Sequence, residues 1–490
     1  MTMLHALKKT LNKTRRIIKY CTPMPSFSCD LPIPKPLIAG YTHRLPCDIH
    51  IPYANGLVER DQLQIRMRWI GQDGVEYFAG QAPILRGSHA RENTRVIAQI
   101  HTPQKAGTYA LAVALVRGRR ERELARSDYE WPVMPLAESD GFCHYGEYML
   151  GLDASTRCNL ECIFCLRVFV ELPPAKQVTR EQMARLAEQA FDGCSGISMS
   201  LGAEPLMNTQ FEEIVDLFGE YPYVFTTMTS NGIPLNERKA RLLVEKGYKE
   251  ISISIDGVKK ETYESIRKGA KFEQLIENLK RLQEIKREMG SPYPRLKFHF
   301  AMMKRNVEEM PAYVDMAHEL GAEIIRFQHF IIPHEDLTGE CLWFEQEKAN
   351  RYLSEALRKC EEYGIKTDAP PLFDLTRKSG EQKKLRTEQC HWPWKGMLIG
   401  HEGEVYPCCQ WKGSVMGNVN EQTFEAIWNG EKYRQLRNEW ICGELNENCR
   451  NCSALMEGDV NDISSFFAAE YERINGKPPT IPLNLSKDQK

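Results

Sequence analysis

The sequence predicts an α/β protein built around a partial (β/α)6 barrel, preceded by a β-sandwich and followed by a small cysteine-rich domain. Three observations carry this. From about Ile33 to Pro135 apolar and polar residues alternate with period two, the mark of half-buried strands. After Gly141 the pattern changes to short β runs separated by amphipathic helices, the mark of a parallel sheet with crossovers. Cysteines concentrate in two places, Cys158 to Cys165 and Cys390 to Cys452. The expected boundaries are a basic segment at 1–32, the sandwich at 33–136, the barrel at 141–333, a linker helix with the cysteine-rich domain at 334–460, and a tail at 461–490.

Composition narrows the function classes. In 490 residues, Lys+Arg 64 against Asp+Glu 66 gives a net charge of −2, so no global basic field exists to neutralise a phosphate backbone, and nucleic acid is excluded as the main partner. No uninterrupted apolar run reaches spanning length, and the N-terminus lacks a signal-peptide core, so the expected location is cytoplasmic. In that reducing compartment 16 cysteines are poor material for a disulfide framework, and metal binding is the better reading.

Taken in order, residues 1–20 carry six basic side chains and no acid, with Leu4, Leu7, Leu11 and Ile18 near one helical face. That is the pattern of a weak membrane-surface contact and equally of a solvated terminus. In the sandwich, Leu63, Ile65, Met67 and Trp69 alternate with polar residues ahead of an Asp73-Gly74 hairpin turn, and Tyr109, Leu111, Val113 and Leu115 repeat the alternation. The barrel strands are expected at Tyr148 to Asp153, Gly196 to Leu201, Tyr223 to Thr229, Glu250 to Ile255, Leu296 to Met302 and Glu323 to Phe330. A Thr179-x-x-Gln182 capping box opens one intervening helix and Asn236 caps another. Active residues of such a sheet belong at the C-terminal ends of its strands.

Just after the first of these strands stands Cys158-Asn-Leu-Glu-Cys162-Ile-Phe164-Cys165. Three thiolates are one fewer than a closed structural zinc site or a ferredoxin-type cluster uses, so a cubane held here keeps one iron open to an exogenous ligand. At these residues the chain resembles the radical S-adenosylmethionine superfamily, whose signature is this cysteine spacing with an aromatic before the third cysteine. The likeness continues in Leu201-Gly202-Ala203-Glu204-Pro205, similar to the family's Gly-Gly-Glu-Pro segment with Ala203 in place of a glycine. It continues further in Thr229-Ser230-Asn231-Gly232 and in Ser252-Ile-Ser254-Ile-Asp256-Gly257 with Arg267 beyond. The resemblance implies a 4Fe-4S cluster on Cys158, Cys162 and Cys165. It also implies S-adenosylmethionine surrounded by Phe164 at the adenine, Asn231 at the ribose, Gly202 and Glu204 at the amino group, and Ser230, Ser254 and Arg267 nearby. Reductive cleavage of that cofactor yields a 5′-deoxyadenosyl radical that takes a hydrogen atom from the substrate. Candidate catalytic residues on or beside the later strands are Asp256, His299 and Gln328, with Arg326 and His329 also considered.

The second cysteine group runs through Cys390-His-Trp-Pro-Trp394, Pro407-Cys408-Cys409 and Cys449-Arg-Asn-Cys452. It resembles the SPASM and twitch auxiliary domains that follow the radical core in relatives, and that likeness implies one auxiliary 4Fe-4S cluster on Cys390, Cys408, Cys449 and Cys452. Cys409 and Cys442 are left over, or one of them replaces a member of that set; Cys341 and Cys360 read as buried small residues. A closed second cluster passes electrons, which favours either net oxidation, with that cluster accepting the substrate electron, or electron relay into the first cluster, and a low-potential donor of flavodoxin or ferredoxin type is the expected partner. The strand pattern before the barrel resembles Ig-like accessory domains of surface-polysaccharide enzymes, which points to a carbohydrate or polysaccharide precursor that is oxidised or epimerised. The alternatives are a peptide-modifying SPASM maturase and a non-catalytic iron-sulfur electron carrier.

Overall fold

Period-two alternation becomes eight strands in the computed structural model: β1 (Ser28–Asp30), β2 (Leu37–Ile38), β3 (Thr42–His50), β4 (Leu63–Ile70), β5 (Glu76–Pro83), β6 (Asn93–His101), β7 (Gly107–Arg117) and β8 (Arg122–Met134). The structure describes residues 28–457 apart from 33–34, 51–62, 84–92, 118–121, 145, 169–174, 331–333, 374, 376–383, 386–389, 412, 451 and 453–455. The basic stripe at 1–20 and the tail at 461–490 lie outside the described residues. Two compact units divide the chain, Met1–Ser139 with Cys143–Gly146 and Asp140–Phe142 with Glu147–Lys490.

In the first unit the strands form one sheet in the order β1-β3-β6-β5-β4-β7-β8-β2, antiparallel except for β2 on β8. Ile65, Met67, Trp69, Ala98, Ile100, Leu111, Val113 and Leu115 share one core on its inner face, as the alternation requires. The sandwich expected from sequence is realised as a single sheet bent over on itself. Trp69 Nε1 donates to His101 O at 2.8 Å although β4 and β6 are not neighbours, and the Tyr129 hydroxyl on β8 donates to Cys29 O on β1. The bend lies where β5 meets β6 through only Gly80↔Ile100 and Gln81↔Gln99. A Cβ on Gly80 would lie 2.0 Å from Gln99 O, so only glycine permits this approach.

The second unit opens with β9 (Tyr148–Leu152) and β10 (Glu161–Cys162), followed by α1 (Arg180–Ala190), β11 (Cys194–Ser198), α2 (Phe211–Gly219), β12 (Phe225–Ser230), α3 (Glu237–Glu245) and β13 (Glu250–Ser254). It continues through α4 (Lys260–Ile266), β14 (Arg267–Lys268), α5 (Phe272–Glu288), β15 (Arg295–Met302), α6 (Met310–Glu319), β16 (Ile324–His329), α7 (Gln346–Tyr363) and β17 (Lys366–Asp368). Strands β9, β11, β12, β13, β15 and β16 are the six expected ones, parallel and neighbouring in chain order. One face carries Ile197, Met228, Ile251, Leu296, Phe298 and Ile325, all buried, and the helices cover it. The other face, in register, carries Ser198, Thr227, Ser252, Lys297, His299 and Arg326. The Thr179 capping box forms both of its bonds, Gln182 N to Thr179 Oγ1 at 3.2 Å and Thr179 N to Gln182 Oε1 at 2.9 Å, and Asn236 caps α3.

Two edges were not expected. β17 extends the sheet beyond β16, and at the other edge β19 (Gly396–Ile399), which follows the short strand β18 (Lys384–Leu385) and the single turn α8 (Trp392–Lys395), pairs in parallel with β9. β20 (Glu404–Tyr406) and β21 (Gly417–Asn418) complete a ten-stranded sheet. The cysteine-rich region therefore begins as an extension of the barrel sheet, and then runs through α9 (Phe424–Trp428), α10 (Glu431–Cys442), α11 (Glu447–Arg450) and β22 (Met456–Glu457), which pairs with β18. Among the described residues no helix is long and apolar enough to cross a membrane.

Candidate active site

The loop after β9 carries Cys158, and its continuation places Cys162 on β10, where it pairs with Arg267 of β14. Cys165 N donates to Cys162 O at 3.0 Å, turning the third cysteine back toward the first two. Arg267 bridges this turn to the segment following β13: Nη1 lies 3.7 Å from Cys162 Sγ and Nε donates to Asp256 Oδ2 at 2.6 Å. The guanidinium also sits 5.6 Å over the Phe164 ring. Burial pushes the Cys162 thiol up to about 11, against the pull of Arg267, and burial likewise raises Cys158. The three sulfurs lie within electrostatic reach of one another. Three converging thiols, two of which burial holds toward the protonated form and one of those beside a cation, form a donor set suited to a metal cluster, because a metal replaces the protons and stabilises the thiolates.

Asp256 is fully buried. Its second oxygen accepts from Ala301 N at 2.8 Å, and Asn306 Nδ2 donates to its carbonyl at 3.0 Å. Its carboxylate is thus committed to Arg267 and the backbone. It opposes the desolvation of Arg267 and raises that guanidinium's proton affinity.

Glu204 is also buried, at 2% exposure, and its carboxylate accepts from Leu206 N at 3.1 Å, Ser230 Oγ at 2.8 Å and Asn231 N at 2.8 Å. Burial raises its pKa while these three donors lower it. Asn231 Nδ2 donates to Asn159 Oδ1 at 2.9 Å, and Asn231 Oδ1 accepts from Ile233 N at 3.0 Å. These side chains lace together the loops after β9, β11 and β12. Gly202 stands apart: a Cβ there would meet only Asp153 Oδ1, at 3.8 Å, so its backbone has room beside it.

On the inner face, Ser254 is in register with His299, His299 with Arg326, and Ala301 with Gln328, so these side chains share one wall. Lys297 and Arg326 both approach Asp368, at 3.8 and 3.3 Å. Among the described residues His299 Nε2 is buried with no hydrogen-bond partner, and burial with the nearby Lys297, Arg326 and Arg267 charges pushes the imidazole down to about 4. His329 differs. It is in register with Met302, one residue out of phase with Gln328, and packs on Phe373 at 5.0 Å instead of joining that wall. Asn159, Asn306 and Asp368 were missed from sequence. Asn159 lay inside the cysteine motif, where position was its only signal, whereas Asp368 depends on the unexpected β17.

In the cysteine-rich domain, Cys390 and Cys452 lie within electrostatic reach of each other and each within reach of both Cys408 and Cys449, and burial pushes Cys408 up to about 12. Cys409 and Cys442 are exposed, while Cys341 and Cys360 are buried. Among the described residues, two buried indole nitrogens of this region, Trp394 Nε1 and Trp440 Nε1, have no hydrogen-bond partner. Four gathered thiols with spare buried N–H donors fit a cluster whose sulfurs accept hydrogen bonds. The domain also reaches the first cysteine loop: Asp153 N donates to Ile399 O at 3.0 Å, and His401 Nδ1 lies 3.2 Å from Asp153 Oδ2.

Residues 153–317 match the Radical SAM superfamily and residues 390–453 match SPASM, an iron-sulfur cluster-binding domain. The chain is 26% identical over 328 residues to an AdoMet-dependent heme synthase of Methanosarcina barkeri, covering 62% of this chain and 91% of that protein. It is 28% identical over 191 residues to a probable GTP 3',8-cyclase of Methanocaldococcus jannaschii, covering 39% and 61%. Among solved structures, native anSMEcpe with bound AdoMet aligns at TM-score 0.47 and 18% identity over 67% of this chain and 96% of that one. Streptococcus suis SuiB bound to precursor peptide SuiA aligns at 0.45 and 16%, over 59% and 66%.

Proposed function

We propose that this chain, which carries a radical SAM domain followed by a SPASM domain, is an enzyme that takes a hydrogen atom from a polar, anionic substrate on the inner face of its barrel. The reading is supported above all by the convergence of Cys158, Cys162 and Cys165 with Arg267 at the end of the barrel where Ser254 and the Glu204 network also lie. When bound, the first cluster and S-adenosylmethionine supply a 5′-deoxyadenosyl radical by reductive cleavage, with the reducing electron from a flavodoxin or ferredoxin type donor.

Cys158, Cys162 and Cys165 hold the first cluster, and Cys390, Cys408, Cys449 and Cys452 hold the auxiliary one. Phe164 offers a ring for the adenine. Glu204, Ser230 and Asn231 act chiefly by fixing the backbone of three loops around the cofactor, since their polar atoms already bind one another. Gly202 leaves its backbone accessible, and Ser254 points into the same space. Arg267 favours thiolate at Cys162 by its charge.

The substrate is read from the wall formed by Lys297, His299, Arg326 and Gln328. Two cations share the single Asp368 carboxylate there, so one positive charge is left for an anionic group. His299, kept neutral, supplies an unpartnered ring nitrogen. A phosphorylated or acidic carbohydrate derivative satisfies this wall and keeps the carbohydrate reading suggested by the strand pattern of the first unit. A cluster held by the four thiols of the second cysteine group would be able to accept the substrate electron, which favours net oxidation over epimerisation.

The test is anaerobic incubation of reconstituted protein with S-adenosylmethionine and dithionite, followed by product analysis with nucleotide sugars, neutral sugars and acidic peptides offered in parallel. Formation of 5′-deoxyadenosine and methionine, stimulated by an anionic sugar, is expected. S-adenosylhomocysteine alone would point to polar methyl transfer. Stimulation only by peptides would replace the carbohydrate reading with the maturase one.

A further inference from the structure

We propose that Asp153 is a further binding residue for S-adenosylmethionine, accepting the cofactor's amino group through Oδ1, and that His401, brought in by the cysteine-rich domain, positions it. This rests on the reading of Cys158, Cys162 and Cys165 as the ligands of the first cluster, with the cofactor beside them. S-adenosylmethionine carries an amino group with N–H donors and a positive sulfonium, so its pocket needs an acceptor of negative charge that is still free. Three buried or half-buried carboxylates stand at the C-terminal ends of barrel strands: Asp153 after β9, Glu204 after β11 and Asp256 after β13. Two of them are spent. Glu204 accepts from Leu206 N, Ser230 Oγ and Asn231 N, and Asp256 accepts from Arg267 Nε and Ala301 N. Asp153 differs. Its Oδ2 lies 3.2 Å from His401 Nδ1, and among the described residues no hydrogen bond reaches Oδ1. That oxygen is also the atom nearest the open side of Gly202, 3.8 Å from where a Cβ would stand. The side chain is 21% exposed, so a ligand can reach it.

A carboxylate offers only acceptors, so the imidazole gives its Nδ1–H to Oδ2 and leaves Oδ1 for the ligand. Burial raises the pKa of this carboxyl, and the His401 bond and the Arg167 charge lower it against Glu404. His401 lies on the turn between β19 and β20, and that turn is held in place. Gly400 N donates to Glu404 O at 2.8 Å, Gly403 N donates to Gly400 O at 3.0 Å, Glu402 pairs with Lys176 ahead of α1, and Asp153 N donates to Ile399 O at 3.0 Å. Asp153 falls within the Radical SAM match and His401 within the SPASM match. The second domain thus aims a cofactor-binding group of the first.

The experiment is equilibrium dialysis of S-adenosylmethionine against the reconstituted full chain, with iron content and circular dichroism showing that each variant is loaded and folded. Asp153→Ala should bind about tenfold more weakly, the loss expected for a hydrogen bond to a charged acceptor. Should that variant fail to load, Asp153→Asn is measured in its place with the same expectation. His401→Phe should lose about threefold, and His401→Asn, whose amide N–H reaches Oδ2 in place of the imidazole, should recover most of that. In the Asp153→Ala background His401→Phe should cost nothing more, because it acts through that carboxylate. Methylthioadenosine, which keeps the nucleoside and lacks the amino group, should bind wild type and Asp153→Ala alike. Unchanged affinity without the Asp153 carboxylate, or an equal loss for methylthioadenosine, overturns the amino contact. Equal losses in His401→Phe and His401→Asn, or additive losses in the double variant, overturn the positioning role. If loaded wild type does not bind S-adenosylmethionine, the reading of the first site fails, and this proposal with it.

Discussion

Arg267 stands between Asp256 and Cys162, 2.6 Å from the carboxylate through Nε and 3.7 Å from the sulfur through Nη1. The carboxylate is wholly buried and the guanidinium side chain is only 11% exposed, so neither charge has water to fall back on. Asp256, read from sequence as a possible catalytic group, is in this arrangement the counterion that positions the cation at the cysteine turn.

Removing one member of a buried pair leaves the other uncompensated, at a cost of about 3–5 kcal/mol. Arg267→Met should lower the unfolding free energy of the metal-free protein by about that amount. The double variant with Asp256→Asn should recover most of the loss. Denaturant midpoints measure both; equal losses in the single and double variants would show that the pair does not matter to stability.

Iron content separates the cysteines. Reconstituted protein should bind about eight irons, and Ala at Cys158, Cys162 and Cys165 should remove about half. Ala at Cys390, Cys408, Cys449 or Cys452 should remove the other half, whereas Cys409→Ala and Cys442→Ala should change nothing. Loss of iron from either of the last two would redraw the ligand set.

Glu204→Ala deprives Leu206 N–H, Asn231 N–H and the Ser230 hydroxyl of their common acceptor, at about 1–3 kcal/mol for each group left unpaired. We expect weaker binding of S-adenosylmethionine by at least about tenfold with the first cluster retained. Glu204→Gln, which keeps one oxygen, should lose less. Equilibrium dialysis against the cofactor decides, and wild-type affinity in the alanine variant would refute a positioning role.

Stability should fall with acid through the histidines. His299 and His329 are each pushed down to about 4 by burial, while an unfolded histidine titrates near 6.5. Between those values the unfolded chain binds the extra protons, so stability is present in full above about pH 6.5 and declines toward pH 4. His299→Gln should shrink the difference in urea midpoint between pH 7 and pH 5. An undiminished difference would mean that His299 is already charged in the fold.

Each unit has its own core, so a chain beginning at Asp140 should fold and cleave S-adenosylmethionine without the first unit. What should fail is turnover of the physiological substrate, if the bent sheet recognises it. Full turnover by the shortened chain would make that unit dispensable for chemistry.

Local pattern determined much of this protein. Period-two alternation placed two strands of the first unit, through Leu63 to Trp69 and Tyr109 to Leu115, and the alternation of β runs with helices placed six barrel strands within a few residues. The Thr179 box and Asn236 marked helix starts through bonds that span three residues and need no partner from afar. The Cys158-Cys162-Cys165 spacing was legible because those ligands lie on one short loop. Tertiary structure decided what depends on neighbours distant in sequence. The apolar run Gly396–Ile399 has no periodicity to declare it a strand, and only its pairing with β9 makes it one. The bend at Gly80 arises from the approach of β6, which alternation does not encode. Glu204, Ser230 and Asn231 were read as facing a ligand, yet their polar atoms meet one another because three loops converge at the sheet's end. His299 and His329 look alike along the chain, but strand register, a property of the assembled sheet, turns one to the inner wall and the other away from it.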